Sequence, residues 1–388
     1  MPENSLEEAY KSAAEVVCSQ GMFPFPVNET SLSILKHVIE DDEDELKLIC
    51  AFKSKASQTP EELTVSSGFS EEKVDRIATS LARKGMLFNQ PSSSGTMVYR
   101  LLPLMNVGLM EYKFMTELTG DEKERALARL FQDLMDQVRD HIQENYDNFV
   151  PMLQSVPPVD RTVPSRVTDE GKPIRIIPVK RGVEVPEEFV LPSQSVDEII
   201  DKFDDIAVGH CFCRQRRKVL GDPCATDAPV INCFTFGKSA RHTVAQGFCR
   251  MVTKEEARQI MREAAAAGLV HKAFHPGANV SRPETSICNC CKDCCDTLNL
   301  WRDGAFPLIN STYYLSVIDP DDCTGCGICV ERCPTEAITL NDEGTAERDE
   351  KACFGCGICA RFCPEEAISL KEGLRRVMVL PPRLRQAG

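Results

Sequence analysis

Two cysteine quadruplets thirty residues apart constrain this chain more than any other feature. Residues 323–340 read CTGCGICVERCPTEAITL and residues 353–370 read CFGCGICARFCPEEAISL, an internal repeat with 12 identities in 18 positions. Each copy is C-x2-C-x2-C-x3-C-P. Three cysteines two residues apart wrap a loop around one cubane, and the glycines let backbone N–H groups approach its sulfurs. The fourth cysteine is expected to start a helix, with the proline locking the turn that throws its thiol toward the other cluster. A zinc ribbon would need two paired CxxC knuckles, and quadruplets do not supply them.

The last 75 residues or so resemble two-cluster bacterial ferredoxins, with a first strand near Tyr313–Ile318. The resemblance implies one 4Fe–4S cluster on Cys323, Cys326, Cys329 and Cys363, and a second on Cys353, Cys356, Cys359 and Cys333.

Cysteine usage extends the argument upstream. Eighteen of the 20 cysteines follow residue 210, and a chain of 388 residues has no need of disulfides to rescue a small core. The first residues carry neither a basic n-region nor an apolar run, so no secretory signal is read there. The longest uncharged apolar stretch, Leu101–Met110, is half of what a membrane span requires. A cytoplasmic setting is expected, where thiols stay reduced and regular spacings read as metal ligands. The net charge of −14 disfavours a general nucleic-acid binder, which needs a cationic footprint. Residues 1–50 alone hold 11 acidic and 3 basic side chains.

A middle segment carries the remaining thiols. A strand at Ile206–Val208 runs into Cys211 and Cys213, and cysteines follow at 224, 233 and 249. Then come Cys288, Cys290, Cys291, Cys294 and Cys295, five thiols in eight residues. The two-residue gaps of Cys288, Cys291 and Cys294 suit one loop presenting three thiolates to one cluster, while adjacent Cys290 and Cys291 would diverge. The upstream set Cys211, Cys213, Cys224 and Cys233 is the other candidate. A third 4Fe–4S cluster, or a third and a fourth, is expected here, with zinc as the alternative, since both accept four thiolates. Arg214–Lys218 reads either as a solvated helix face or as compensation for an anionic cluster. Residues 196–300 also resemble a region found beside ferredoxin ends in uncharacterised iron–sulfur proteins of anaerobic bacteria, on the CxCR start and the CNCCxxCC end. His271 and His275 lack a metalloprotease context, and Phe236–Ser239 lacks the glycine a phosphate loop needs at 232.

The front of the chain reads as helices. Leu32, Leu35 and Ile39 recur at helical spacing. Thr59-Pro60-Glu61-Glu62 and Ser70 open two more helices, and strands at Met86–Phe88 and Thr96–Leu102 are joined by a turn at Asn89–Gly95. That order resembles a winged helix–turn–helix, whose reader helix would open on Glu71 and Glu72 and so is not expected to meet DNA. Residues 120–148 form an amphipathic helix. Eight prolines in Pro151–Pro192 predict an extended strap laid over the surface.

The fold class expected is α+β and multidomain: a helical and winged-helix-like segment 1–150, a Pro-rich linker 151–194, a Cys-rich α+β segment 195–300, and a dicluster ferredoxin segment 301–388. The function expected is single-electron transfer to redox partner proteins, as a component of an oxidoreductase system. The alternatives are a reductase with its active site on the Cys288–Cys295 loop and a redox-sensing winged-helix regulator. No catalytic residue can be named from the sequence.

Overall fold

The computed structural model describes residues 3–21, 24–92, 94–158, 160–178 and 193–384. Their contacts divide into two compact units: residues 1–136, 209–223 and 238–251, and residues 137–208, 224–237 and 252–388. The segment 195–300 is therefore shared between the two units, and the ferredoxin segment lies in the second.

In the first unit, helix α1 (Glu3–Cys18) packs on both α2 (Glu29–Ile39) and α3 (Glu43–Cys50). The buried stripe of α2 is Ile34, Leu35, Val38 and Ile39, pairs four apart on one face. Leu32, which the spacing placed on that stripe, is only half-buried. Helix α4 (Pro60–Ser67) has a reciprocal cap between Thr59 and Glu62, and α5 (Glu71–Arg83) is capped by the Ser70 hydroxyl. Strands β1 (Ser57–Gln58), β2 (Leu87–Pro91) and β3 (Met97–Leu101) form a sheet in the order β1-β3-β2. The hairpin turn is tighter than expected because Asn89, Gln90 and Pro91 pair with Tyr99, Val98 and Met97. Pro91 is tolerated at the strand end, where no ladder donor is needed. The helix Phe212–Val219 also belongs to this unit; Arg214 and Arg216 on it are buried, Arg217 is half-buried and Lys218 is exposed, so only part of the basic run is solvated.

The second unit is built on strands β4 (Asp160–Val163), β5 (Ile176–Ile177), β6 (Ile206–His210), β7 (Ile231–Phe236), β8 (Val270–Phe274), β9 (Ser286–Cys290), β10 (Leu308–Ile318) and a long strand Ile368–Val379. A separate hairpin pairs β11 (Ile338–Leu340) with β12 (Ala346–Arg348), and the long strand is β13. Within this unit the strands of the main sheet run β5-β13-β10-β4-β8-β9-β7-β6. Strands of the ferredoxin segment, β10 and β13, thus share a sheet with those of the Cys-rich segment. β10 begins earlier than the expected Tyr313 because its whole length pairs with β13, from Leu308↔Val379 to Ile318↔Ile368.

The proline-rich stretch departs from its expected form. Of this stretch, residues 179–192 lie outside the described residues, as does Val159. The stretch before them supplies β4, parallel to β10 and antiparallel to β8, with all four of its residues buried. Its charges make that possible. Asp160 pairs with Lys272 at 2.5 Å and Arg161 with Glu284 at 2.8 Å, each partner no more than 5% exposed. A buried ion survives when it is paired and hydrogen-bonded, and composition alone does not reveal the partner.

One face of the sheet carries Val163, Phe234, Phe236, Ala273 and Ile287 against the helices Val196–Asp201 and Lys254–Ala266. Val270, Cys290 and Leu308 join Cys295, Trp301, Phe354 and Ile358 in a separate core. That second cluster joins the thiol loop to the second cysteine motif.

Candidate iron–sulfur sites and the thiol loop

Each C-x2-C-x2-C-x3-C-P motif folds as a loop followed by one short helix, Ile328–Arg332 or Ile358–Arg361. The fourth cysteine does not start a helix. In the first motif Cys333 is the C-cap, with extended backbone at φ −65° and ψ 118°; in the second the C-cap is Phe362 and Cys363 follows it. The following Pro334 explains the reversal, since a residue before proline is driven out of the α region.

That extended exit redirects the fourth thiol. Cys363 lines one cavity with Cys323, Cys326 and Cys329, about 350 Å³ including its mouth. Cys333 lines another with Cys353, Cys356 and Cys359, about 320 Å³. Each cavity therefore takes three cysteines from one motif and the fourth from the other. Burial pushes the Cys329 thiol up, and charge on Cys323, Cys326 and Cys363 would push it further. Burial likewise pushes up Cys356, with Cys333 and Cys353 adding to it, and Cys359. Thiols so disfavoured as free anions suit sulfurs whose charge is shared with a metal cluster.

The surroundings fit such a cluster. Backbone N–H groups of Ala346, Gly355 and Ala337 donate to Cys323, Cys353 and Cys333 Sγ at 3.5, 3.4 and 3.3 Å. The Ser316 hydroxyl lies 3.4 Å from Cys353 Sγ and the Thr335 hydroxyl 3.6 Å from Cys333 Sγ. Gly355, at φ +61°, has no room for a side chain: a Cβ there would lie 2.0 Å from the Tyr314 carbonyl oxygen. Gly325, at φ +69°, would meet the Gly344 carbonyl at 2.2 Å.

The two cavities differ in exposure. In the first set Cys326 is exposed, Cys323 and Cys363 are half-buried and Cys329 is buried; in the second Cys333, Cys353 and Cys359 are buried and Cys356 is half-buried.

The middle thiols separate by local geometry. Cys288 and Cys290 alternate on β9 and so share a face, opposite Lys272 and Val270 of β8. Cys295 caps the helix Asp296–Arg302 and hydrogen-bonds with Cys290, which that bond and burial push well up. Lys272 carries its charge beside these thiols: burial opposes it, but Asp160, Cys290 and Cys295 hold its pKa above the usual lysine range. Its Nζ also lies 5.6 Å from the Phe354 ring centroid in the second motif.

Cys291 and Cys294 turn elsewhere and meet Cys224, the three sulfurs all lying within 4.8 Å of one another. Cys224 thus stands where the spacing had placed Cys288. A gap of 67 residues leaves no periodic signal, so sequence reasoning missed the pairing. It also missed Thr226, whose Oγ1 accepts from the Cys291 thiol at 3.1 Å, and Asp293, whose N–H donates to Cys291 Sγ at 3.4 Å. Cys211 and Cys213 lie in the first unit with Cys249, while Cys224 and Cys233 lie in the second. His271 and His275 are buried; their Nδ1 atoms are engaged by Asn289 and the Arg282 carbonyl.

Residues 316–370 match a family described as a 4Fe-4S dicluster domain. Over 33 residues the chain is 58% identical to a "Probable ferredoxin" of Methanosarcina thermophila, a stretch covering 8% of this chain and 57% of that relative. The chain thus spans a little over half the length of the relative it matches. No solved structure matches the chain. The C-terminal segment is a ferredoxin domain of the two-cluster, 4Fe–4S kind. Among the described residues, no helix is long and apolar enough to cross a membrane.

Proposed function

We propose that this protein carries single electrons between redox partner proteins through two 4Fe–4S clusters. One is held by Cys323, Cys326, Cys329 and Cys363, the other by Cys353, Cys356, Cys359 and Cys333. The observation that carries this reading is the pair of cavities, each lined by four cysteines drawn from both motifs. When bound, the clusters supply the one-electron chemistry. The chain's own residues hold them with thiolates, donate N–H groups to the cysteine sulfurs, and set how close solvent and partners come.

The difference in exposure supports a direction of contact. The site with Cys326 faces partners, and the buried site passes electrons inward, where Phe354 and Cys356 pack with Cys290 and Cys295. Protein purified without oxygen should contain about eight irons and eight sulfides. Dithionite should give the paramagnetic signal of two interacting reduced cubanes. A colourless, folded protein under those conditions would overturn the reading.

A second reading is favoured by one observation, the hydrogen-bonded Cys290–Cys295 thiols beside the buried site. There the loop would act as a reductase centre, with the pair cycling as a disulfide that takes two electrons and two protons to become two thiols. Alkylation under denaturing conditions, before and after dithionite, should then count two additional thiols in the reduced protein.

The helices α3–α5 with the sheet β1-β3-β2 support a winged-helix reading of the front. Glu71 and Glu72 open α5, and Lys73 of the same helix is paired with Asp44 at 2.7 Å. We read this unit as a docking element for protein. A specific complex with genomic DNA fragments at low salt, responding to dithionite, would favour the redox regulator instead.

A further inference from the structure

The eight ferredoxin cysteines and the middle trio differ in a way that bears on what each holds. The Cys224 and Cys291 sulfurs lie 3.7 Å apart, and Cys294 completes a triangle with no side above 4.8 Å. Among the described residues, no three ferredoxin cysteines come so close; they stand around their cavities instead. The distinction is geometric. With metal–sulfur bonds of ~2.3 Å, the edge of a tetrahedron around a single zinc ion is about 3.8 Å. A cubane bears its cysteines on four separate irons, which holds their sulfurs roughly 6 Å apart.

We infer that Cys224, Cys291 and Cys294 bind a single zinc ion and not a third 4Fe–4S cluster. The inference goes beyond the electron-transfer reading and does not depend on it. The trio supplies three corners of the tetrahedron.

The local structure serves that task. Cys291 and Cys294 lie in the tight turn between β9 and the helix Asp296–Arg302, where a two-residue gap aims both thiols to one side. The third comes from the loop before β7. Asp293 ties that loop down, its Oδ2 accepting from the Ala225 N–H at 2.7 Å. Around the sulfurs, Ala264, Ala267, Leu269 and Ala228 form an apolar wall. Such a wall disfavours uncompensated thiolates and favours their neutralisation by a cation. The Asp293 N–H already points at Cys291 Sγ, and the Thr226 hydroxyl can turn to donate once that thiol ionises. Zn²⁺ takes the three as thiolates, so each one still protonated gives its proton to solvent, and the site is left with net charge −1. The ion would fasten two loops that are 67 residues apart in sequence.

The test uses the full chain purified without oxygen, assayed for zinc, iron and sulfide together. The expected result is about one zinc beside about eight irons and eight sulfides. Cys224→Ser and Cys291→Ser should each lose the zinc and keep iron, sulfide and the reduced-cluster signal. Cys288→Ser should keep the zinc. Cobalt added to zinc-stripped protein should give the intense absorption of tetrahedral cobalt–thiolate in the parent and not in the Cys291→Ser variant. About twelve irons and twelve sulfides, falling to about eight in Cys291→Ser, would mean a third cubane and overturn the inference. Absence of zinc and of the cobalt spectrum, with the ferredoxin clusters intact, would overturn it equally. Sulfide reports on the ferredoxin reading and cobalt on this one, so failure of either is distinguishable.

Discussion

Gly355 occupies a place that a methyl group cannot share, 2.0 Å from the Tyr314 carbonyl oxygen. Gly355→Ala should therefore displace the loop bearing Cys353 and Cys356 and lower iron content by about four atoms per chain, with the other cluster retained. Cys363→Ser should damage the cluster of Cys323, Cys326 and Cys329, and Cys353→Ser the other one. Site-selective loss in the paramagnetic spectrum distinguishes the two, and the same signal lost in both would refute the crossed assignment. In the first unit, His242 is fully buried against Phe88, Tyr112 and Phe248, with Nδ1 3.1 Å from Asn89 Oδ1. Burial, aided by Arg100, pushes its pKa down to about 4. The unfolded chain binds a proton near pH 6.5 that the folded one refuses until about pH 4. Stability contributed by neutral His242 is thus complete above pH 6.5 and lost as pH falls toward 4, by roughly 3 kcal/mol at most. Denaturant titrations across that window should show His242→Phe flattening the slope.

Strand β4 shows where the sequence stops being informative. Asp160-Arg-Thr-Val163, set among prolines, has no alternation of apolar and polar residues to mark it as central in a sheet. Its place depends on Lys272 and Glu284, more than a hundred residues away, and such pairings leave no local trace. Asp160→Asn should strand Lys272 in the interior and destabilise the second unit by about 3–5 kcal/mol. Replacing both, with Lys272→Met, should cost less than the single change; equal losses would deny that the pair acts as a unit. The cysteine quadruplets are the opposite case. Their ligand spacing and proline are local, so the gathering of the eight cysteines around two cavities was legible, whereas the helix expected to start at each fourth cysteine ends at or before it. The thiol loop fell between: its adjacent cysteines were expected to diverge, but Cys224 could not be assigned to Cys291 without the fold that brings β7 beside β9.

At the scale of the whole chain, the two ferredoxin cavities are unequal, and oxygen or chelators should reveal the order. The site with exposed Cys326 should bleach first, leaving an intermediate with about half the iron before the buried site is lost. Iron and spectra followed together through brief air exposure would show that plateau; a single-phase loss of both clusters would argue against a protected inner site. The crossing of Cys363 into the first cavity also has a consequence in time. A nascent chain exposes the Cys323, Cys326 and Cys329 trio well before its completing ligand exists. At ~5–20 residues per second, the wait for Cys363 is roughly 2–7 s. The second set, Cys333, Cys353, Cys356 and Cys359, is complete at residue 359, only four residues before Cys363 completes the first, so on the crossed assignment both clusters should mature late and nearly together.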